Sequence, residues 1–278
     1  MQRQVMQWVE SEGVRLNTLC LGSGPLLVMC HGLVTASLAT WYFTAAPALA
    51  RHYRVVLYDL RGHGKSDLVP AGYDVDTLAR DLAQVIRAYR PGHAAGGSDK
   101  VALIGHSYGA LTALNYALRH PHNVARLALI DAPLPAHRYV HPSLADLDSA
   151  AALEQRFSAH LEGQATRGPR QRRRARERLE FLFLASSLRE DLRTAADVPD
   201  ARLEALNVPT LCLYGSHSSC AAAGQRLARL LPRGALRWLD CGHYVPTQAP
   251  AAMTEELLAH FAPGIIEGED NAVHHVSG

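Results

Sequence analysis

The chain has 278 residues, of which 48% are hydrophobic and 19% are charged, and its formal net charge is +2. These values are typical of a globular chain with a large core. They argue against a nucleic-acid partner, because nucleic-acid binders usually carry a concentrated basic surface. The opening residues lack a signal-peptide core, and no stretch reaches the length of a membrane span. We therefore expect a cytoplasmic protein without a membrane partner.

The cysteines favour a reduced chain without a metal site. They are odd in number, and all except Cys220 lie in or beside apolar, strand-like runs. Buried thiols are therefore expected instead of a disulfide framework. No Cys/His spacing matches a structural zinc site, so neither a metal nor another cofactor is predicted. The five cysteines are Cys20, Cys30, Cys212, Cys220 and Cys241.

Up to residue 131, apolar runs alternate with helical patterns. The first two runs flank a turn and indicate an antiparallel edge, whereas the later runs have the length and composition of buried parallel strands. A connector over residues 91–98 contains three glycines and is expected to be flexible. Strands are predicted over residues 6–10, 14–21, 26–30, 54–58, 101–104 and 126–131. Helices are predicted over residues 41–51, 76–90 and 110–119.

A glycine-bracketed serine marks the joint between the strand at 101–104 and the helix at 110–119. The joint reads Gly-His-Ser-Tyr-Gly over residues 105–109. A strand that turns directly into a helix forces the joint residue into strained geometry, and the flanking glycines let the two arms approach closely. We therefore expect the Ser107 hydroxyl at the carboxyl edge of the sheet, ahead of the positive end of the helix. This arrangement is typical of a nucleophile.

The second half of the chain contains an insertion. From Pro133 to about Asp200 the strand pattern stops and charged helix formers dominate. We expect a helical segment over residues 135–200 between two parts of a core domain, residues 1–134 and 201–263, followed by a frayed tail over residues 264–278. The alternation of strands and helices implies a mostly parallel sheet covered on both faces. Strands resume at 208–215 and 235–239, and helices at 221–231 and 251–261.

Four motifs in order resemble those of the α/β-hydrolase superfamily over about residues 14–261. They are His31-Gly32 after the third strand, Asp-Leu-Arg-Gly-His-Gly over 59–64, the serine turn over 105–109 and Asp-Cys-Gly-His-Tyr-Val-Pro over 240–246. The resemblance implies the α/β-hydrolase fold of the serine-nucleophile branch, a mostly parallel twisted sheet flanked by helices. It also implies a helical lid inserted after the strand that ends at Asp131.

The resemblance implies roles for individual residues. Ser107 looks like the nucleophile, and His243 looks like the general base that accepts its proton. The backbone N–H groups of Leu33 and Tyr108 are expected to hold the oxyanion. The expected reaction is acyl transfer to water through an acyl-enzyme. A serine nucleophile excludes the ester-intermediate chemistry of the related dehalogenases and epoxide hydrolases.

The sequence departs from the family at the third catalytic residue. Family members usually carry a carboxylate three residues after the glycine that ends the strand before the last helices, and Ser218 occupies this position. No Asp or Glu occurs between Ala205 and Leu239. Asp131 is the preferred alternative acid, because it ends a neighbouring strand and preserves the order serine, acid, histidine. A serine-histidine dyad and a role for Asp240 stay open.

The insertion is expected to select the substrate. Its Phe181 and Phe183 are expected to roof the pocket. On the opposite side, His31 and Gly32 are expected to lie at the substrate, with the His31 ring also holding the early loop by hydrogen bonds. Arginines are concentrated in residues 167–178. Such a run is typical of a solvated helix face, but it also fits contact with a coenzyme A phosphate or an acidic carrier protein.

The leading interpretation is a serine hydrolase that cleaves an ester, thioester or lactone of an apolar small molecule. The same residues also serve an acyltransferase or cyclase, a thioesterase acting on a carrier-bound acyl chain, and a C–C bond hydrolase. A non-catalytic ligand-binding protein is a further alternative, supported only by the missing acid at Ser218. Fold alone does not decide among these functions.

Overall fold

One sheet of eight strands lies at the centre of the part of the chain that the structure describes. The computed structural model describes residues 5–90, 100–140, 144, 147–166 and 168–262. The strands are β1 (Val5–Ser11), β2 (Val14–Leu21), β3 (Leu26–Cys30), β4 (Arg54–Tyr58), β5 (Val101–His106), β6 (Val124–Ile130), β7 (Thr210–Gly215) and β8 (Gly234–Leu239). Their order across the sheet is β1-β2-β4-β3-β5-β6-β7-β8. The β1–β2 pair is antiparallel and the sheet is mostly parallel, as the sequence predicted, whereas the antiparallel β2–β4 pair was not predicted.

Strand β3 shows why the inner strands are apolar at every position. Its residues are all buried, with Val28 in one core cluster and Leu27 and Met29 in the other. Because side chains alternate along a strand, consecutive apolar residues supply both faces of the sheet. A sheet that is covered on both faces requires this continuous pattern.

Helices cover both faces of the sheet. Leu82 and Leu114 pack in the cluster that contains Val28, whereas Leu49 and Met253 pack in the other cluster. The described helices are α1 (Leu38–Tyr42), α2 (Ala46–Leu49), α3 (Val75–Tyr89), α4 (Tyr108–Arg119), α5 (Ala136–Tyr139), α6 (Ala150–Arg156), α7 (Ser158–Ala165), α8 (Pro169–Leu184), α9 (Leu188–Arg193), α10 (Asp200–Glu204), α11 (Ala221–Leu230), α12 (Val245–Gln248) and α13 (Pro250–Phe261), with a 3₁₀ turn at Pro121–Asn123.

The helix predicted over residues 41–51 is two short helices, α1 and α2. Pro47 lies in the first turn of α2. A proline has no N–H to donate and its ring clashes with the carbonyl four residues earlier, so one continuous helix is interrupted here. Two further predictions, the flexible connector at 91–98 and the frayed tail at 264–278, lie outside the described residues.

Helices α5 to α10 lie between β6 and β7, in the segment that contains the insertion, residues 135–200. Its buried leucines, among them Leu182 and Leu188, join the core cluster that contains Val28. The insertion therefore shares a core cluster with α3 and α4. Among the described helices, none is long and apolar enough to cross a bilayer.

Candidate active site

Ser107 lies at the joint between β5 and α4 with φ 54° and ψ −125°. A positive φ is strained for a residue with a β-carbon, and the crowding on either side explains the glycines. A β-carbon at Gly105 would lie 2.6 Å from the Ala110 nitrogen, and one at Gly109 would lie 2.7 Å from the carbonyl carbon of Cys30. The turn therefore brings strand and helix closer than any other residue type allows.

His243 lies in the loop after β8, next to the serine. Its Nε2 is 2.9 Å from Ser107 Oγ, and its Nδ1 is 2.6 Å from Asp131 Oδ2. Because a carboxylate oxygen accepts, Nδ1 carries the proton and the Nε2 lone pair faces the serine hydroxyl. This tautomer is the one that can take a proton from Ser107.

Asp131 directly follows β6 and has a φ of 47°. Its carboxylate is fully buried, and Oδ1 accepts the N–H of Gly215 at 3.0 Å. Oδ2 accepts from His243 and also from the Ser218 hydroxyl, which lies 2.6 Å away. The carboxylate is therefore fixed by three donors from two neighbouring elements.

Ser218 has a role that the sequence did not reveal. It stands where the family resemblance placed the acid, and it donates to the Asp131 carboxylate, which bonds to His243 instead. Its Oγ in turn accepts the N–H of Cys220 at 3.0 Å, which fixes the loop. The adjacent ends of β6 and β7 explain this contact. In the sequence, the only indication of this contact was that Asp131 ends one predicted strand and Ser218 follows another.

Asp240, the other candidate acid, lies elsewhere. Its side chain is 95% exposed, and its Oδ1 lies 2.7 Å from Nε2 of His217. The structure therefore does not bring Asp240 to the imidazole of His243.

The loop after β3 supplies the other wall of the site. A β-carbon at Gly32 would lie 3.2 Å from the Ser107 β-carbon, so the loop passes close to the serine. Leu33 and Tyr108, whose N–H groups are the predicted oxyanion donors, both line the cavity described below. Tyr108 is the first residue of α4, where an N–H has no partner within its own helix.

A buried histidine holds this loop in place. Val34 has a φ of 73°, and its N–H donates to Nε2 of His63 at 2.7 Å. The other ring nitrogen of His63 donates to the Arg61 carbonyl at 2.8 Å. Burial lowers the pKa of His63 to about 3, so the ring stays neutral and keeps Nε2 as an acceptor. His63 thereby fixes the residue that follows Leu33, a role that the sequence did not reveal.

His31 holds the same loop but does not reach the cavity. Its side chain is fully buried, Nε2 accepts the N–H of Leu60 at 3.0 Å, and Nδ1 donates to the Gly32 carbonyl at 2.6 Å. Burial lowers the pKa of His31 to about 4. Both ring nitrogens are therefore occupied by backbone groups. This corrects the expectation that His31 lies at the substrate, whereas Gly32 does line the cavity.

Ser107 and His243 face a cavity of about 430 Å³. This volume lies within the usual range for small-molecule sites. The core contributes the early loop and the nucleophile turn, and the insertion contributes apolar residues that include Tyr139, Val140 and Phe157. The cavity thus lies between the carboxyl edge of the sheet and the insertion.

The insertion does not place Phe181 and Phe183 at the cavity, which corrects a second expectation. Neither residue belongs to the lining. Phe183 is buried and packs against Phe157, with ring centroids 5.8 Å apart, and Phe157 lines the cavity. An apolar run such as the end of α8 suits residues that line a cavity and equally suits residues that pack behind the lining. Its sequence therefore could not show which of the two positions Phe181 and Phe183 occupy.

Two further residues adjoin the histidine. Nε2 of His106 donates to the His243 carbonyl at 2.9 Å, and burial lowers the pKa of His106 to about 4. Cys220 Sγ lies 3.8 Å from Nδ1 of His243. Cys220, His243 and Asp131 present possible metal-ligand atoms within 4.8 Å of one another. However, burial raises the pKa of the Cys220 thiol to about 12, and a metal here would displace the Asp131–His243 hydrogen bond. The arrangement therefore suits proton transfer better than metal binding.

Much of the arginine-rich run bonds within the chain. Arg172 and Arg176 lie 2.6 and 2.9 Å from glutamate oxygens of the insertion. Arg178 turns inward and donates to the carbonyls of Gly62 and Gly64 at 2.6 and 2.7 Å, which ties α8 to the loop after β4. The run is thus partly neutralised, and its contact with coenzyme A or an acidic carrier protein stays a prediction.

Comparisons with known proteins agree with this fold. Residues 25–250 match the model of the alpha/beta hydrolase fold family. The soluble epoxide hydrolase of Corynebacterium sp. (strain C12) is 27% identical, and the match covers 90% of this chain and 95% of that protein. A hydrolase of Pseudomonas aeruginosa PA01 superimposes with a TM-score of 0.72 at 23% identity, covering 92% of this chain and 98% of that one.

The enol-lactonase of Burkholderia xenovorans LB400 has a TM-score of 0.71 at 21% identity, covering 91% of this chain and 99% of that one. At such identities the solved structures support the fold alone, whereas the family model covers most of the chain. The chain belongs to the alpha/beta hydrolase fold family.

Proposed function

We propose that the protein is a serine hydrolase that cleaves an ester, thioester or lactone of an apolar small molecule through an acyl-enzyme. The observation that carries this proposal is the continuous hydrogen-bonded chain from Ser107 through His243 to a buried Asp131, with distances of 2.9 and 2.6 Å. The apolar part of the lining supports an apolar substrate.

In the first step, Ser107 Oγ attacks the substrate carbonyl while His243 Nε2 takes its proton. The imidazolium that forms is stabilised by Asp131 across the Nδ1–H bond. The carbonyl oxygen, now negative, accepts from the N–H groups of Leu33 and Tyr108. Collapse of this intermediate breaks the bond to the leaving group, which receives the proton from His243 and leaves the acyl group on Ser107.

In the second step, water replaces the leaving group. His243 Nε2 takes a proton from the water as its oxygen attacks the acyl carbon. Collapse breaks the bond to Ser107 Oγ, which recovers the proton from His243. The acid product leaves, and the free serine is restored.

The serine argues against an epoxide or an alkyl halide as the substrate, despite the epoxide hydrolase among the relatives. A carboxylate nucleophile would form an ester with such a carbon, and water can cleave an ester at its carbonyl. Ser107 would form an ether instead, which has no carbonyl for water to attack. The cycle would stop after one turnover.

Labelling with a fluorophosphonate tests the proposal. We expect rapid labelling at Ser107, its loss in Ser107→Ala, and labelling slower by about 100-fold or more in Asp131→Asn, because the amide stabilises neither the tautomer nor the imidazolium. Asp240→Asn is the matched control, since its carboxylate is exposed and contacts His217. Circular dichroism confirms that each variant is folded.

The outcomes separate the alternatives. Equal labelling rates in Asp131→Asn and Asp240→Asn would mean that no acid assists the histidine, which overturns the triad. A folded wild-type protein that resists labelling and hydrolyses no p-nitrophenyl ester would overturn the hydrolase and leave the binding protein.

A further inference from the structure

The lining of the cavity includes one arginine of the insertion. Arg156 ends helix α6, and it lines the same cavity as Ser107 and His243. The described lining includes no aspartate and no glutamate. It also includes no lysine and no second arginine, so Arg156 is the only described lining residue with a permanent charge.

The acidic residue nearest to Arg156 in sequence forms ion pairs with other arginines. Glu154, two residues before Arg156, lies 2.6 Å from the Arg172 guanidinium and 3.9 Å from that of Arg176. Residues two positions apart on a helix point to different sides, so Glu154 and Arg156 do not face each other. Among the described residues, no carboxylate forms an ion pair with Arg156.

The guanidinium of Arg156 lies beside an aromatic ring. Arg156 Cζ lies 5.8 Å from the centroid of the Phe157 ring, and that ring also lines the cavity. A guanidinium stacked beside an aromatic ring gains a cation–π attraction and keeps its planar donors free for a carboxylate. The insertion therefore offers an apolar wall with a cation at its edge.

We propose that the substrate carries a carboxylate that binds Arg156 while its ester, thioester or lactone carbonyl lies at Ser107. This inference rests on the proposed function and narrows it to esters, thioesters and lactones whose apolar chain also carries a carboxylate. A phosphate on a coenzyme A thioester shares the negative charge but belongs to a much larger molecule, so free acids with a small acyl chain are the class that the cavity of about 430 Å³ favours.

The test compares the p-nitrophenyl monoesters of adipic and suberic acid with the same esters bearing a primary amide in place of the carboxylate. The two members of each pair have nearly the same size and differ in charge. With spontaneous hydrolysis subtracted, we expect kcat/KM of wild-type protein to be about tenfold higher for the carboxylate at one chain length or both. Arg156→Met should reduce that ratio to about one.

Arg174→Met is the matched control, because Arg174 is an exposed arginine of the insertion that does not line the cavity. It removes the same charge and should keep the wild-type ratio. A ratio near one in wild-type protein, or the same fall in Arg174→Met, would overturn the carboxylate site while the hydrolase itself stands. A preference for the acyl thioester of coenzyme A that Arg156→Met abolishes, without preference among the small esters, would also overturn it, in favour of a phosphate contact.

Failure of the proposed function looks different. It appears as no turnover of any of these esters together with no labelling of Ser107. Labelling with fluorophosphonate in each variant separates the two cases, because an intact serine still reacts when only substrate selection is lost.

Discussion

Asp131 and Ser218 face each other from the ends of neighbouring strands β6 and β7, with 2.6 Å between Ser218 Oγ and Asp131 Oδ2. Parallel strands end at one edge of a sheet, so two different strand ends can present an acid to the same histidine. The carboxylate here comes from β6. The hydroxyl at the end of β7 then completes its hydrogen bonding, which a second carboxylate at that place could not do without repulsion.

Removal of the Ser218 hydroxyl tests this residue-level view. In Ser218→Ala, Asp131 keeps its bonds from Gly215 and His243 but loses a short one on Oδ2. We expect kcat for ester hydrolysis to fall roughly tenfold with little change in KM, since the loss affects the imidazolium and not the substrate. The exposed Ser216 of the same loop gives the control variant Ser216→Ala. Equal kcat values in the two variants would contradict the role of Ser218.

At the level of elements, the joint of β5 and α4 depends on the absence of side chains. Gly109 lies in the first turn of α4 against the backbone of Cys30, whereas Gly163 lies in α7 with no heavy atom near its missing β-carbon. The two glycines thus share helical backbone geometry but differ in their surroundings. Because Gly109 has no β-carbon, α4 can lie against the backbone of Cys30, and this close approach brings Ser107 near the early loop.

Alanine substitutions at these two glycines give opposite expectations. Gly163→Ala should raise the free energy of unfolding by about 0.5–1 kcal/mol, because alanine favours helix. Gly109→Ala should lower it by about 1–3 kcal/mol or more, because the new methyl group meets backbone that cannot turn aside. Urea unfolding followed by circular dichroism measures both. Similar changes in both variants would show that the close approach is not needed.

In the insertion, the sequence of one helix did not show which aromatic rings line the cavity. Helix α8 is tied to the core through Arg178, yet the insertion's rings at the cavity come from elsewhere. They include Tyr139 of α5 and Phe157, which lies between α6 and α7. Phe183 packs against Phe157. Which apolar side chain lines the cavity and which packs behind it depends on the contacts between helices, and these contacts are not visible in one helix alone.

At the scale of the whole molecule, three buried histidines and the half-buried His260 make stability depend on pH. Burial lowers the pKa of His31, His106 and His260 to about 4 and that of His63 to about 3. An unfolded histidine has a pKa of about 6.5, so between about pH 4 and pH 6.5 the unfolded chain binds more protons than the folded chain. The free energy of unfolding is therefore highest above about pH 6.5 and falls as the pH is lowered.

Urea unfolding between pH 7.5 and pH 5 checks this expectation. Each of these four histidines contributes a slope of up to about 1.4 kcal/mol per pH unit within its window. His260→Gln should make the slope shallower, since glutamine does not titrate and can still donate to the Leu127 carbonyl that His260 Nε2 contacts at 3.1 Å. His122→Gln, at an exposed position, should leave the slope as it is. Equal slopes in wild type and His260→Gln would contradict the linkage.

The fold followed from local patterns. Continuous apolar runs such as residues 26–30 and 54–58 form inner strands because only a sheet covered on both faces buries every position. The glycine-bracketed Ser107 and the late Gly-His pair of His243 likewise stand out without a structure. These features depend on neighbours in sequence, so the sequence by itself determined the mostly parallel sheet and two residues of the candidate site.

Tertiary structure decided what depends on contacts between distant segments. The sequence favoured Asp131 but left open a dyad and Asp240, and only the position of its carboxylate 2.6 Å from His243 Nδ1 distinguishes these arrangements. The hydroxyl of Ser218, the ring of His63 and the guanidinium of Arg156 each meet their partners or their cavity across many residues of chain. Such contacts are set by how strand ends and helices pack, and no local period in the sequence encodes them.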